Sequence, residues 1–203
     1  MKILDEKRAP NPRRVRVFLA EKGIDVPFEQ VEIMTGAHKL AGFTKLNPVQ
    51  RVPVLVLNDG TAISESMAIC RYFEAIQPEP SLFGETPIEI ALIEMWNRRA
   101  ELNFFFPVAH IFRHTHPAMA GLEVPQVPAW AEANKPRVAE IVRVFDERLG
   151  ASPYLAGERF SVADITAMIA TDFMKPARLA VPGDAIHFKR WYEDASSRPS
   201  HKA

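Results

Sequence analysis

One cysteine, Cys70, stands in a chain of 203 residues, which excludes an internal disulfide and a Cys-x-x-Cys redox pair. Any sulfur chemistry here needs a sulfur that the ligand brings. An excess of either charge is also missing. The 25 Lys and Arg balance 25 Asp and Glu, so no bulk field recruits nucleic acid or an anionic membrane. No apolar run approaches the roughly 20 residues of a membrane span. The opening Met1-Lys2-Ile3-Leu4-Asp5-Glu6 turns acidic too soon for a signal peptide. These absences set the expectation of a soluble, cytoplasmic protein with neither nucleic acid nor membrane as partner. Internal repeats and low-complexity tracts are lacking too. What is present is a 47% hydrophobic composition, over a length that buries a real core in one large domain or two small ones.

The order of elements falls into two halves. Residues 2–5 read as a short strand, and Pro10-Asn11-Pro12 opens a helix with Asn11 as N-cap and Pro12 at the first helical position. Val15, Phe18 and Leu19 form its stripe, and Gly23 closes it. Phe28, Val31 and Ile33 suggest a second strand, followed by a short irregular helix over 38–45. Residues 54–57 and 61–63 make a hairpin across Asn58-Asp59-Gly60, and a helix runs over about 66–76. This order gives a mixed four-stranded sheet. From Gln77-Pro78-Glu79-Pro80 onwards the chain turns linker-like and then helical. Thr86-Pro87-x-Glu89 is a capping box, Pro107 is expected to kink or break the helix it opens, and a second long helix spans about 128–149. Ser161-Val162-Ala163-Asp164 caps a third, very apolar one, and a last helix covers about 187–195.

The chemistry is concentrated in Asn47-Pro48-Val49-Gln50-Arg51-Val52-Pro53-Val54-Leu55 and, across the hairpin, Ser64-Glu65-Ser66. A cis Val52-Pro53 bond would turn the main-chain groups of Val52 outward to pair with an extended ligand. Ser66 and the first N–H groups of its helix suit a carboxylate, and Glu65 suits an ammonium beside it. A carboxylate and an amine on one carbon are the head of an amino acid. Taken singly, Pro53 reads better as a trans proline at an edge strand, and Ser64 or Ser66 as a plain N-cap; their spacing in one strand–turn–strand–helix unit shifts the balance to the groove.

Together the Val52-Pro53 strand, the Ser64-Glu65-Ser66 helix start, the Pro-rich linker, the helical second half and the Ser161-x-x-Asp164 cap resemble a cytosolic glutathione S-transferase of bacterial, theta- or nu-like type. The resemblance implies an α/β thioredoxin-like N-terminal domain over 1–78, a linker over 79–86, and an all-α helical bundle domain over 87–203. It also implies a homodimer, glutathione as co-substrate, no metal, and a small hydrophobic electrophile bound between the domains. By the same likeness Val52 pairs with the cysteinyl backbone of glutathione, and Glu65 and Ser66 receive the γ-glutamyl head. His38, Lys39 and Arg51 lie near the glycyl carboxylate, while Pro53, Ser161 and Asp164 are structural.

The thiol-activating position departs from the commoner classes. Lys7-Arg8-Ala9-Pro10-Asn11 offers no Ser, Cys or Tyr, and the resemblance to nu-like members makes Asn11 the candidate donor to the thiolate, aided by Arg13, Arg14 and Arg16. The alternative is that Asn11 only caps its helix. Conjugation is the leading activity. Glutathione-dependent disulfide or peroxide reduction, and glutathione or partner binding without turnover, are the alternatives. His110, His114 and His116 have partial metal spacing but no completing ligand, so no metal is expected. The run Phe104-Phe105-Phe106 reads mainly as packing, and Cys70 as buried and inert.

Overall fold

Four strands and eight α-helices carry most of residues 1–203 in the computed structural model, sorted into two units: Met1–Ser81 joined by Pro199–Ala203, and Leu82–Arg198. In the first unit the order is β1 (Lys2–Asp5), α1 (Pro10–Lys22), β2 (Phe28–Gln30), α2 (Ala41–Leu46), β3 (Val54–Val56), β4 (Ala62–Ser64) and α3 (Ser66–Ile76). The sheet runs β2-β1-β3-β4. β1 and β2 are parallel, with Ile3 opposite Phe28, and α1 supplies the crossover that a parallel pair requires. β3 is antiparallel to both its neighbours. Alternation sends Leu4 and Val54 to one face, where they cluster with Val31, Phe43 and Val52. Ile3 and Leu55 point to the other and are fully buried.

Two expectations in this unit need correction. The first turn of α1 closes through the Arg13 N–H on the Ala9 carbonyl (3.3 Å), so Ala9 is the N-cap and Pro10 fills the first helical place. Pro10 fixes its own helical φ and biases the residue before it to the extended region, where Ala9 sits at φ −83°, ψ 138°. Asn11 is therefore inside the helix and caps nothing. The second strand ends at Gln30, short of Val31 and Ile33, and Ile33 instead opens a 3₁₀ turn. A short 3₁₀ turn, Ile33–Thr35, follows it, and a second, Ala37–Lys39, precedes α2. Lys22, at the end of α1, is buried and donates to Glu74 (2.6 Å) and to the carbonyls of Pro78 and Pro80, fastening the start of the linker.

The second unit begins with α4 (Pro87–Arg99), whose Thr86 side chain accepts from the Glu89 N–H while the Glu89 carboxylate accepts from the Thr86 N–H. Pro107 does not end the helix. A π-helical stretch, Ala100–Phe105, leads without interruption into α5 (Phe106–Thr115). Proline lacks the N–H for an ordinary turn and needs room at the preceding carbonyls, and the wider π turn gives that room. Phe104 and Phe105 are buried whereas Phe106 is exposed. Phe104 meets Phe145 and Phe188 edge-on at 5.8 and 6.0 Å. Next come α6 (Pro128–Gly150), which carries Pro136 inside it, α7 (Val162–Met174) and α8 (Ile186–Ser197).

Helix α7 is apolar nearly all round, as a central buried helix must be. Its start is held by Asp164, fully buried, which accepts from the Ser161 N–H and hydroxyl, the Leu155 N–H and the Trp191 indole, all at 2.9–3.0 Å. No helix is long and apolar enough to cross a membrane.

Candidate functional site

The loop that carries Val52 is built by Asn47. Its side-chain amide donates to the Arg51 carbonyl (2.8 Å) and accepts from the Val49 N–H (3.1 Å), so one buried residue closes both sides of the turn. Gln50 sits at φ 56°, a left-handed conformation that its side chain helps to hold by donating to Thr44 (3.1 Å). The Val52-Pro53 bond is cis. The Val52 side chain packs into the cluster that also takes up Ala9 and Ala37, but no main-chain group elsewhere in the fold engages its N–H or carbonyl. That cluster brings together the head of α1, the turn bearing His38 and the loop bearing Val52.

Across the hairpin, Val54 pairs with Ser64. The pairing ends there, with Pro53 next in the chain before Val54 and Glu65 next after Ser64. Glu65 lies at φ 70°, ψ 117°, a conformation that costs a non-glycine residue of the order of 1–3 kcal/mol. Such strain persists where the surroundings demand a particular direction of the chain, here the entry into α3. The Ser66, Met67 and Ala68 N–H groups have no main-chain partner, because the first helical bond runs from Ile69 to the Glu65 carbonyl. The Glu65 side chain supplies no cap, and the Ser66 hydroxyl makes no bond within the chain. The result is an open helix end with an exposed carboxylate beside it, suited to an anion and a cation on adjacent atoms.

His38 is buried, and its Nδ1 has no partner. Burial lowers its pKa below the ordinary histidine value, and the cations Lys39 and Arg51 lower it further, so the ring stays neutral near pH 7. Lys39 and Arg51 are exposed, and with them near the ring the positive charge at this place is theirs.

Asn11 occupies the second position of α1, flanked by two prolines that lack N–H groups. Its Oδ1 accepts from Arg14 Nη2 (3.4 Å). The three arginines of this helix differ from a solvated cationic face. Arg14 is fully buried, Arg16 grips Asp5 (2.7 Å) and the Lys7 carbonyl, and Arg13 donates to the His201 carbonyl. A cavity of about 440 Å³ elsewhere on this unit is edged by Arg13, Arg16, Lys7 and Lys202, but both arginines are engaged as just described. Asn47 and Arg14 carry no signal in the sequence beyond an Asn-Pro step and an Arg-Arg pair. Their parts depend on neighbours brought in by folding.

Ser161 and Asp164 lie in the second unit, where they hold the start of α7. The three histidines near α5 each accept a hydrogen bond at Nδ1, His110 from the Trp130 indole (3.3 Å), His114 from the Val127 N–H (3.1 Å) and His116 from the Ala118 N–H (3.2 Å). They fasten the segment between α5 and α6. Cys70 is buried, and burial pushes its thiol up to about 12.

Known proteins resemble this chain in sequence and in fold. Residues 9–76 match the family described as glutathione S-transferase, N-terminal domain, and residues 92–199 match glutathione S-transferase, C-terminal domain. Glutathione S-transferase 2 of Saccharomyces cerevisiae is 38% identical, covering 100% of this chain and 88% of its own length. A solved glutathione S-transferase domain-containing protein of Marinobacter aquaeolei superposes with a TM-score of 0.95 at 40% identity, covering 98% of this chain and 99% of that one. The structure of Gtt2 from Saccharomyces cerevisiae gives 0.94 at 38% identity, covering 100% and 99%.

Proposed function

The chain belongs to the glutathione S-transferase family, and from that premise we propose that it joins the thiolate of glutathione to small hydrophobic electrophiles. The observation that carries the reading is the open start of α3. Three N–H groups and the Ser66 hydroxyl await an anion there, with the Glu65 carboxylate free beside them. The γ-glutamyl carboxylate is received by Ser66 and the helix end, and its ammonium by Glu65. Val52 pairs with the cysteinyl main chain as a strand would. The glycyl carboxylate lies towards Lys39 and Arg51, with neutral His38 as a hydrogen-bonding neighbour.

Held at both ends, the tripeptide places its sulfur near the head of α1. A free thiol is mostly protonated at pH 7, so a donor that favours the anion raises the reactive fraction. Asn11 Nδ2 is that donor. The thiolate then attacks the electrophilic carbon, a carbon–sulfur bond forms, and the leaving group departs with its electron pair. Positioning the two reactants supplies the rest of the acceleration. The protein works in the cytoplasm as a homodimer that removes reactive electrophiles. Ile88 and Leu92, exposed one turn apart on α4, support a subunit seam there, and sedimentation giving a monomer at micromolar concentration would refute it.

Retention on immobilised glutathione, with conjugation of a chloro-nitroaryl substrate, tests the whole reading. Ser66→Ala should weaken glutathione binding by about tenfold, the size of one charge-assisted hydrogen bond. Wild-type protein that ignores glutathione, or Ser66→Ala and Glu65→Gln that bind it as well as wild type, would remove the site. Reduction of hydroxyethyl disulfide without conjugation would replace transfer by reduction.

A further inference from the structure

A side-chain amide has two chemically opposite ends of nearly the same shape. A thiolate is drawn to the NH₂ end and repelled by the carbonyl end, so the way Asn11 faces decides whether it assists ionisation or opposes it. Nothing within an asparagine makes that choice. The neighbour does. Arg14 lies one turn further along α1, is 0% exposed, and places Nη2 3.4 Å from the Asn11 side chain. A guanidinium has five N–H donors and no acceptor, so the atom facing it must be Oδ1. With Oδ1 taken, the amide presents Nδ2 on the opposite side. That atom is neither buried nor bonded within the chain, so it is free for a ligand.

We propose that Arg14 is a positioning residue which, by occupying Oδ1, turns the Asn11 Nδ2–H donor towards the sulfur of bound glutathione. The inference rests on the reading of Asn11 given above. Burial makes the arrangement durable, because packing fixes the guanidinium and the short asparagine must adapt to it. The charge of Arg14 is also felt at a sulfur inside the same unit. It pulls the Cys70 thiol downward, although burial outweighs it there.

The test is the absorbance of bound thiolate against pH in wild type, Asn11→Ala, Arg14→Met and the double variant. The expected result is that Asn11→Ala raises the apparent pKa of the bound thiol by about one unit, the size of a lost donor to an anion. Arg14→Met should raise it to a similar degree, the double variant should add nothing further, and Arg14→Lys should restore part of the shift. The KM for glutathione should move little in Arg14→Met, since the ends of the tripeptide are held elsewhere. If Asn11→Ala leaves the titration unchanged, the donor role of Asn11 fails and takes this inference with it. If Asn11→Ala shifts it while Arg14→Met does not, or the two shifts simply add, only the part given to Arg14 is overturned.

Should Arg14→Met not fold, nitrogen-15 spectra of the unaltered protein still decide. The Asn11 Nδ2 protons should move when glutathione is added. Protons that stay in place mean the donor does not face the sulfur, and the proposal falls.

Discussion

His38 combines burial with an unpartnered ring nitrogen, and both favour its neutral form. Its folded pKa lies below the unfolded value of about 6.5, with burial the larger cause. The unfolded chain therefore takes up the proton first as pH falls. The contribution of His38 to stability is full above pH of about 6.5 and is lost as pH drops through the folded value. His38→Gln should accordingly lose less stability than wild type between pH 7 and pH 5, as read from urea midpoints at each pH. A parallel loss in the two proteins would show that His38 is not the group responsible. At this scale the cis Val52-Pro53 bond and the helix start at Ser66 were legible because the signals are local: a proline at the head of a strand and a polar step before a helix. The burial of Arg14 was not, since an Arg-Arg pair carries no sign of which member folding closes over.

Helices tell a similar story through their ends. The capping boxes at Thr86 and Ser161 could be read because they are made from residues three apart. The start of α1 could not, because two prolines bracket Asn11 and either could have filled the first helical place. Pro107 misled for a different reason. The breaking rule assumes an α-helical neighbourhood, and the chain widens into a π turn instead. The start of α7 rests on a heavily used carboxylate. Asp164→Ala leaves the Ser161 and Leu155 N–H groups and the Trp191 indole without their acceptor in a dry interior, and should cost about 3–5 kcal/mol in chemical denaturation. A loss below about 1 kcal/mol would mean that water or another group replaces the carboxylate there.

For the whole molecule, the change from strands to helices after Gln77 announced two parts, and composition was enough to see it. What the sequence did not disclose is that the first unit is assembled from both ends of the chain. The 3₁₀ turn Pro199–Lys202 packs on α1, with the Arg13 guanidinium on the His201 carbonyl and the Ser200 hydroxyl on Glu21. Deleting residues 199–203 should destabilise the first unit by about 2 kcal/mol, the sum of two such bonds at their usual net worth. Hydrogen exchange along α1 measures it. Unchanged protection there would show that the returning segment is only an ornament.

That returning segment also bears on how the protein is made. Translation delivers residues 1–81 early, yet the unit they belong to waits for its last five residues until some 117 others, all of the second unit, have been synthesised. A nascent chain can form the sheet and its helices, but the clasp supplied by residues 199–203 closes only after the second unit has been made.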